Sequence, residues 1–218
     1  MPTRKVPPNS TSLTGQVAGR KSVGSADSES TLEHDLLTLL EFDSAVDRYE
    51  VQPVRIDYVD ENGRARHYTP DVLVHYRNRS DEDPRAPLLA EVKPRAVLAR
   101  DWKDIRRKVR AARAYARENG WHFRVLTEKH IRTPYLRNAR FLLPYTRLES
   151  DAAMEALLTQ RLSELGAATP DALLASVYWA PENRAMLLPS VWRLVGIGRI
   201  DCDLGLPLTM ATRLWLAE

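Results

Sequence analysis

Four residues combine a reactive type with a telling spacing. Asp71 follows Pro70 inside a β-rich run, and 20 positions later comes Glu91-Val92-Lys93. Glu91 and Lys93 fall on one face of a strand, because strand side chains alternate with period two. Glu33 lies on a helix that precedes both. Three carboxylates supply only hard oxygen ligands, which Mg2+ prefers. A cation held by them lowers the pKa of a bound water and neutralises charge on a phosphate, while a neighbouring lysine orients that water or stabilises the transition state. This chemistry requires the carboxylates to converge near the Lys93 amine. Splayed carboxylates would point instead to a non-catalytic scaffold.

Each residue also has a plainer reading. Glu33 occupies the last position of the capping box Ser30-Thr-Leu-Glu33, so helix capping alone explains it. Asp71 after Pro70 reads equally as a turn residue. Glu91 and Lys93 could be the solvent face of a half-buried strand. A second acidic-x-Lys triplet, Asp101-Trp-Lys103, reads as a helix start.

The elements that must position these residues follow from the hydrophobic pattern. Leu36, Leu37, Leu39 and Leu40 recur at helical spacing after the capping box. The runs Asp47–Val59 and Arg64–Tyr76, separated by Glu61-Asn62-Gly63, predict a hairpin, with Pro70 demanding a bend, a bulge or an edge position. Leu88 to Lys93 is a short strand stopped by Pro94. Asp101 is expected to N-cap a helix ending near Glu118, before Asn119-Gly120. Its apolar stripe is Trp102, Ile105, Val109, Ala112 and Ala116; Lys103, Arg106, Arg110, Arg113 and Arg117 lie on another face. A strand over Trp121–Leu126 and a helix from Thr133-Pro134 through Leu143 complete the order α, β-hairpin, β, α, β, α. Beyond Arg147, three short helices and a terminal hairpin predict a winged helix, a class that serves both as a DNA reader and as a protein-docking module. Pro189 predicts a kink or later start in the third of these helices. Trp179, Trp192 and Trp215 are expected in its core. Residues 1–29, rich in Ser, Thr, Gly and Pro, read as a flexible basic arm. The expected divisions are 1–29, 30–148 and 149–218.

Charge adds a second signal. The chain has 218 residues and a formal net charge of only +3, yet residues 93–147 carry 16 Lys+Arg against 4 Asp+Glu, a local +12 that leaves −9 for the rest. Such a field fits a phosphate-backbone binder, although a solvated helix face with counter-charges nearby would produce the same count. Besides the five basic residues of the helix, Arg132, Arg137 and Arg140 are candidate phosphate contacts. The single cysteine, Cys202, excludes an internal disulfide framework and a cysteine zinc cluster. His34, His67, His75, His122 and His130 lack zinc-motif spacing, and Gly15 to Lys21 lacks that of a phosphate loop. No apolar run reaches the roughly 18 residues of a membrane span, and residues 1–20 lack the apolar region of a signal peptide. A soluble cytoplasmic protein with no membrane partner is expected.

In combination, Pro-Asp late in a hairpin, Glu-x-Lys ending the next strand, a basic helix and a preceding Glu resemble the PD-(D/E)xK restriction-endonuclease-like nucleases. Leu32-Glu33, Leu39-Leu-Glu-Phe-Asp43, Gln52-Pro53, Tyr68-Thr-Pro-Asp71, Glu91-Val-Lys-Pro94, Trp121-x-Phe123, Thr127-Glu128 and Asn138 further resemble the TnsA endonuclease subunit of heteromeric DNA transposases, over residues 30 to about 147. The resemblance implies an α/β restriction-endonuclease-like core, a mixed sheet flanked by helices, with a small C-terminal winged-helix domain. It implies an endonuclease that cuts the non-transferred 5′ strands at transposon ends, alongside a TnsB-like partner transposase and a TnsC-like AAA+ ATPase regulator. By motif position Glu33, Asp71 and Glu91 would be acidic metal-site residues, Val92 would add a carbonyl, and Lys93 would be the catalytic lysine. The metal would be Mg2+, as two ions, with Mn2+ able to substitute. The position of Glu91 is sometimes Gln in that family; here it is the fuller Glu form. Gln52 carries no assigned chemistry and reads as core or strand pairing. A standalone restriction or repair nuclease, and a non-catalytic DNA-binding adaptor, are the alternatives.

Overall fold

The computed structural model describes residues 15–16, 19–24, 27–28, 30–78, 80 and 84–217. In chain order its elements are β1 (Gly15–Gln16), β2 (Asp27–Ser28), α1 (Thr31–Phe42), β3 (Val46–Val51), β4 (Ile56–Val59), β5 (Ala65–Tyr68), β6 (Val72–Tyr76), β7 (Leu88–Val92), α2 (Arg95–Glu118), β8 (His122–Leu126), α3 (Glu128–Ile131), α4 (Pro134–Leu142), a 3-10 turn (Tyr145–Arg147), α5 (Ala152–Leu165), β9 (Ala167–Ala168), α6 (Pro170–Val177), α7 (Pro181–Gly196), β10 (Ile200–Asp201) and β11 (Leu214–Leu216). They form two units, 1–132 and 133–218.

The first unit is built on a mixed sheet of order β3-β6-β7-β8. β6 is antiparallel to both β3 and β7, while β8 is parallel to β7. A parallel pair needs a long crossover, and α2 supplies it. Alternation divides the sheet's side chains between two layers. Val72, Val74, Ala90 and Val92 pack with Leu32, Leu36, Leu37 and Leu40 of α1. Leu73 and Leu89 pack with Ala112 and Ala116 of α2.

The expected hairpin is present, but each arm is cut in two. β4 and β5 pair around a turn in which Asp60 Oδ1 accepts from the amides of Asn62 and Arg64, and Gly63 takes φ +74°. Below them the ladder breaks on both sides, at Gln52-Pro53 and at Thr69-Pro70, because proline has no N–H to donate. The Gln52 amide bridges the break by donating to the Asp71 carbonyl at 2.9 Å. Gln52 itself lies in the left-handed region, φ +50°, which a residue with a side chain seldom adopts.

Three expectations need correction here. The long helix begins at Arg95, and Asp101 departs from helical geometry within it (φ −110°, ψ 19°). The Asp101 carboxylate accepts from Arg100 Nε and Nη2 at 2.8 Å, so it marks a break in the helix rather than its cap. Trp102, placed in the apolar stripe, is 50% exposed, whereas Ile105, Val109, Ala112 and Ala116 are buried. The supposed arm is partly anchored: the Arg20 amide donates to Glu41 Oε1 at 2.6 Å, and Lys21 and Val23 exchange backbone bonds with Tyr49. Most of residues 1–18 lie outside the described residues.

In the second unit α5, α6 and α7 pack around Leu158, Leu162, Leu173, Leu187, Val191 and Leu194, beside an antiparallel sheet of order β10-β11-β9. Thr169 caps α6, with Pro170 at its first position. Pro189 lies inside α7, which spans Pro181–Gly196 without a later start. The unit begins at Thr133, before the expected division at 148, because α4 packs within it through Phe141 and Asn138. Phe141 meets Trp192 edge-on at 5.4 Å. Buried Asn138 donates to the carbonyls of Leu204 and Leu206 and accepts from the Leu208 amide, pinning the β10–β11 connection. Trp192 is buried as expected, but Trp179 is 92% exposed, which removes it from the core. No described helix is long and apolar enough to cross a membrane.

Asn138→Ala leaves two carbonyls and one amide without their partner and opens a gap at a buried position. Urea unfolding should register a loss of about 2 kcal/mol, and hydrogen exchange should show the Leu208 amide losing protection.

Candidate active site

The breaks in the hairpin put Asp71 at the head of β6, next to the last residues of β7. Asp71 Oδ2 accepts a 2.6 Å hydrogen bond from the Val92 amide, joining the two strand ends. The Lys93 backbone amide donates to the Leu126 carbonyl, so the β7 end is tied to β8 as well. From this position Lys93 Nζ reaches Glu91 Oε1 at 2.9 Å, the Val92 carbonyl at 3.1 Å and Asp71 Oδ2 at 3.8 Å. One ammonium therefore touches or faces three of the expected metal-site donors.

Glu33 stands at the same cleft, which is lined by Leu36, Leu37, Val51, Asp71, Val72 and Val92. Its carboxylate also accepts from the Ser30 hydroxyl at 2.9 Å, and its amide donates to that hydroxyl at 3.2 Å. Glu33 thus holds the helix start while its charge acts on Asp71, Glu91 and Lys93.

Electrostatics bind the group together. Burial, then the neighbouring Glu91 charge, pushes the Asp71 carboxyl well above its ordinary range. Burial likewise raises Glu91, against the pull of Lys93. Burial alone would lower the Lys93 pKa, but Asp71 and Glu91 together raise it above the ordinary lysine value. Each carboxylate makes the other costly, and the ammonium compensates both.

The expected convergence of three carboxylates on one point is not observed: among the described residues no group of three or more His, Cys, Asp or Glu is placed to hold a metal. Asp71 and Glu91 converge on Lys93 instead. The donor chemistry nonetheless fits a hard divalent cation. Glu91 Oε2 is buried with no hydrogen-bond partner among the described residues, and a second cation would relieve the repulsion between carboxylates. One residue near the site escaped the sequence reading. Lys108 of α2 acts on the Glu91 charge, but it falls outside the regular basic row, and only the packing of α2 on the sheet brings it close.

Of the expected phosphate contacts, Lys103, Arg106, Arg110, Arg113 and Arg117 are exposed on α2, and none is in an ion pair among the described residues. Arg132 is committed elsewhere: its Nε donates to buried Asp35 at 2.7 Å and its Nη2 to Thr31 Oγ1 at 3.0 Å, fastening α1. Arg137 and Arg140 are exposed on α4 of the second unit.

Residues 43–128 match a family model described as the TnsA-like endonuclease N terminal. The match contains Asp71, Glu91, Val92, Lys93 and all of α2; Glu33 and the second unit lie outside it. No curated protein matches the chain.

Lys93→Met leaves two buried carboxylates facing each other without their counter-ion. The metal-free protein should lose about 3 kcal/mol in denaturant unfolding, and Ca2+ should raise its melting temperature more than that of the parent. Unchanged stability would mean that the ammonium is not what keeps the carboxylates charged.

Proposed function

We propose that this chain, which carries a TnsA-like endonuclease N-terminal domain of the restriction-endonuclease-like superfamily, is the metal-dependent DNA endonuclease subunit of a cut-and-paste transposase. The observation that carries the reading is the meeting of Asp71, Glu91 and Lys93 at adjoining strand ends, inside the matched segment. The reaction is hydrolysis of the non-transferred 5′ strands at transposon ends, with a separate transposase acting on the other strands and an AAA+ ATPase regulating the pair. Its place of action is the bacterial cytoplasm, on nucleoid DNA.

Asp71, Glu91 and the Val92 carbonyl would hold Mg2+, with Glu33 across the cleft. When bound, the ion supplies a water of lowered pKa and neutralises phosphate charge. The chain's residues do the rest. Asp71, by its bond to the Val92 amide, holds the ends of β6 and β7 in register so that the donor atoms stay together. Lys93 contributes an ammonium beside these donors, placed to orient the attacking water and to stabilise charge developing on the phosphate. The exposed basic row of α2 lies along DNA phosphates, positioning the strand without reading its sequence.

The second unit has the element order of a winged helix, α5-β9-α6-α7-β10-β11, with its sheet ordered β10-β11-β9. Residues 151–218 carry 5 Lys+Arg and 8 Asp+Glu, a net −3, and the exposed start of α7 presents Glu182 and Met186 after Trp179. An acidic, apolar surface suits protein docking better than a phosphate backbone. We therefore assign this module to a protein partner.

Strand-specific labelling of transposon-end DNA in the reconstituted complex tests the chemistry: Asp71→Ala should abolish 5′-strand cutting while leaving the other strand's reaction in place. Robust cutting of any plasmid by the isolated chain would favour a standalone nuclease. Reversing Arg106 and Arg110 to Glu should weaken DNA binding and lower the slope of log K against log salt by about 0.9 for each phosphate no longer neutralised.

A further inference from the structure

β8 is an edge strand: it pairs with β7 on one side, and no described residue pairs with its other side. A row of free amides and carbonyls along such an edge is a template for another strand. Here the edge lies in an open groove, whose wall is α2, through Leu98, Trp102 and Arg113, and whose other side is β8, through Phe123, Arg124 and Val125. The stripe of α2 that packs on the sheet is buried at Ile105 and Val109 but runs out at Trp102, which is half exposed over this groove. The arrangement resembles a helix and sheet prepared for one more strand than the sheet contains.

The chemistry selects the occupant. Only an extended main chain satisfies the free edge of β8, and its side chains then alternate between two directions. One set meets Leu98, Trp102 and Phe123 on the α2 side, which Arg113 of α2 also lines, and must be largely apolar. The other meets Arg124, whose partner Ala90 faces α1, and should be acidic; neither arginine is in an ion pair among the described residues. Duplex DNA could answer the two arginines but neither the apolar surface nor the strand edge. A second copy of β8 paired antiparallel about its centre would bring Arg124 against itself, and like charges across a strand pair are unfavourable.

We propose that the edge of β8 and the overhang of α2 dock an extended segment of a partner protein in which Asp or Glu alternates with apolar residues. The proposal goes beyond the nuclease reading: none of these groups belongs to the Asp71-Glu91-Lys93 cluster, and only Arg113 is shared with the basic row of α2 assigned to DNA.

The test is to pan a random-peptide phage library on the full-length chain, then titrate the selected sequence as a labelled synthetic peptide. Selected peptides should alternate acidic and apolar residues and protect the amides of residues 122–126 from hydrogen exchange. They should bind at least about tenfold more weakly to Trp102→Ala and to the Arg113→Glu/Arg124→Glu double variant. All three substitutions are at exposed positions, and unchanged thermal melting verifies the fold; if one variant melts early, the other decides. The proposal is overturned if nothing is enriched, or if the selected peptides bind both variants as well as the parent. It is equally overturned if short duplex DNA, or self-association at raised protein concentration, gives the protection at 122–126 and the acidic peptide does not.

Discussion

Everything at the site depends on one contact, the 2.6 Å hydrogen bond from the Val92 amide to Asp71 Oδ2. It joins two strands just where their ladder ends, beyond the Val72–Ala90 pair, and it does so with a side chain rather than with the backbone. The hairpin is interrupted by proline on both arms, so Asp71 stands at the end of the ladder, its carbonyl still held by the Gln52 amide. The left-handed conformation of Gln52 opposite belongs to the same interruption, since strain of this kind persists only where surrounding contacts over-determine it. Once Asp71 is fixed, Lys93 has two carboxylates to neutralise and a carbonyl to donate to, and the strand ends become a polar cluster on the rim of an apolar core.

That cluster is costly to fold by itself. Buried like charges raise each other's pKa, and the lysine beside them offsets the cost without removing it, as the unpartnered Glu91 Oε2 shows. On the proposed reading, a cation bound here would relieve that cost. The contrast with Arg193 and Glu155 in the second unit is instructive. There buried Glu155 accepts on Oε1 from Arg193 Nη1 at 2.6 Å and from the Ser150 hydroxyl at 3.0 Å, while Arg199 Nη1 lies 3.7 Å from Oε2, so two guanidinium groups compensate one carboxylate.

Much of this could be read from the residues alone. The capping box at Ser30, the Asn-Gly turn, the β7 strand before Pro94 and the Thr169-Pro170 helix start are local signals, and local chemistry decides them. The meeting of Glu91 and Lys93 was legible too, because period-two alternation puts them on one face wherever the strand lies. Tertiary contacts decided what was not legible. Asp101 has the look of a cap, but Arg100 takes its carboxylate. Arg132 has the look of a phosphate contact, but buried Asp35, 97 positions away, takes its guanidinium. Trp102 and Trp179 follow helical or apolar patterns, yet their exposure depends on where the packed surface ends, which no local pattern records. The convergence of carboxylates on a lysine rather than on each other is likewise a property of the assembled strand ends.

The central claim is that Asp71, Glu91 and the Val92 carbonyl form a cation site now compensated by Lys93. Electron paramagnetic resonance of Mn2+ added to the full-length protein tests it most directly. The expected result is a bound-Mn2+ signal that Asp71→Ala and Glu91→Ala each abolish, and that charge reversal on α2 leaves in place. A signal that survives both carboxylate substitutions, or no bound Mn2+ in the parent protein, would contradict it.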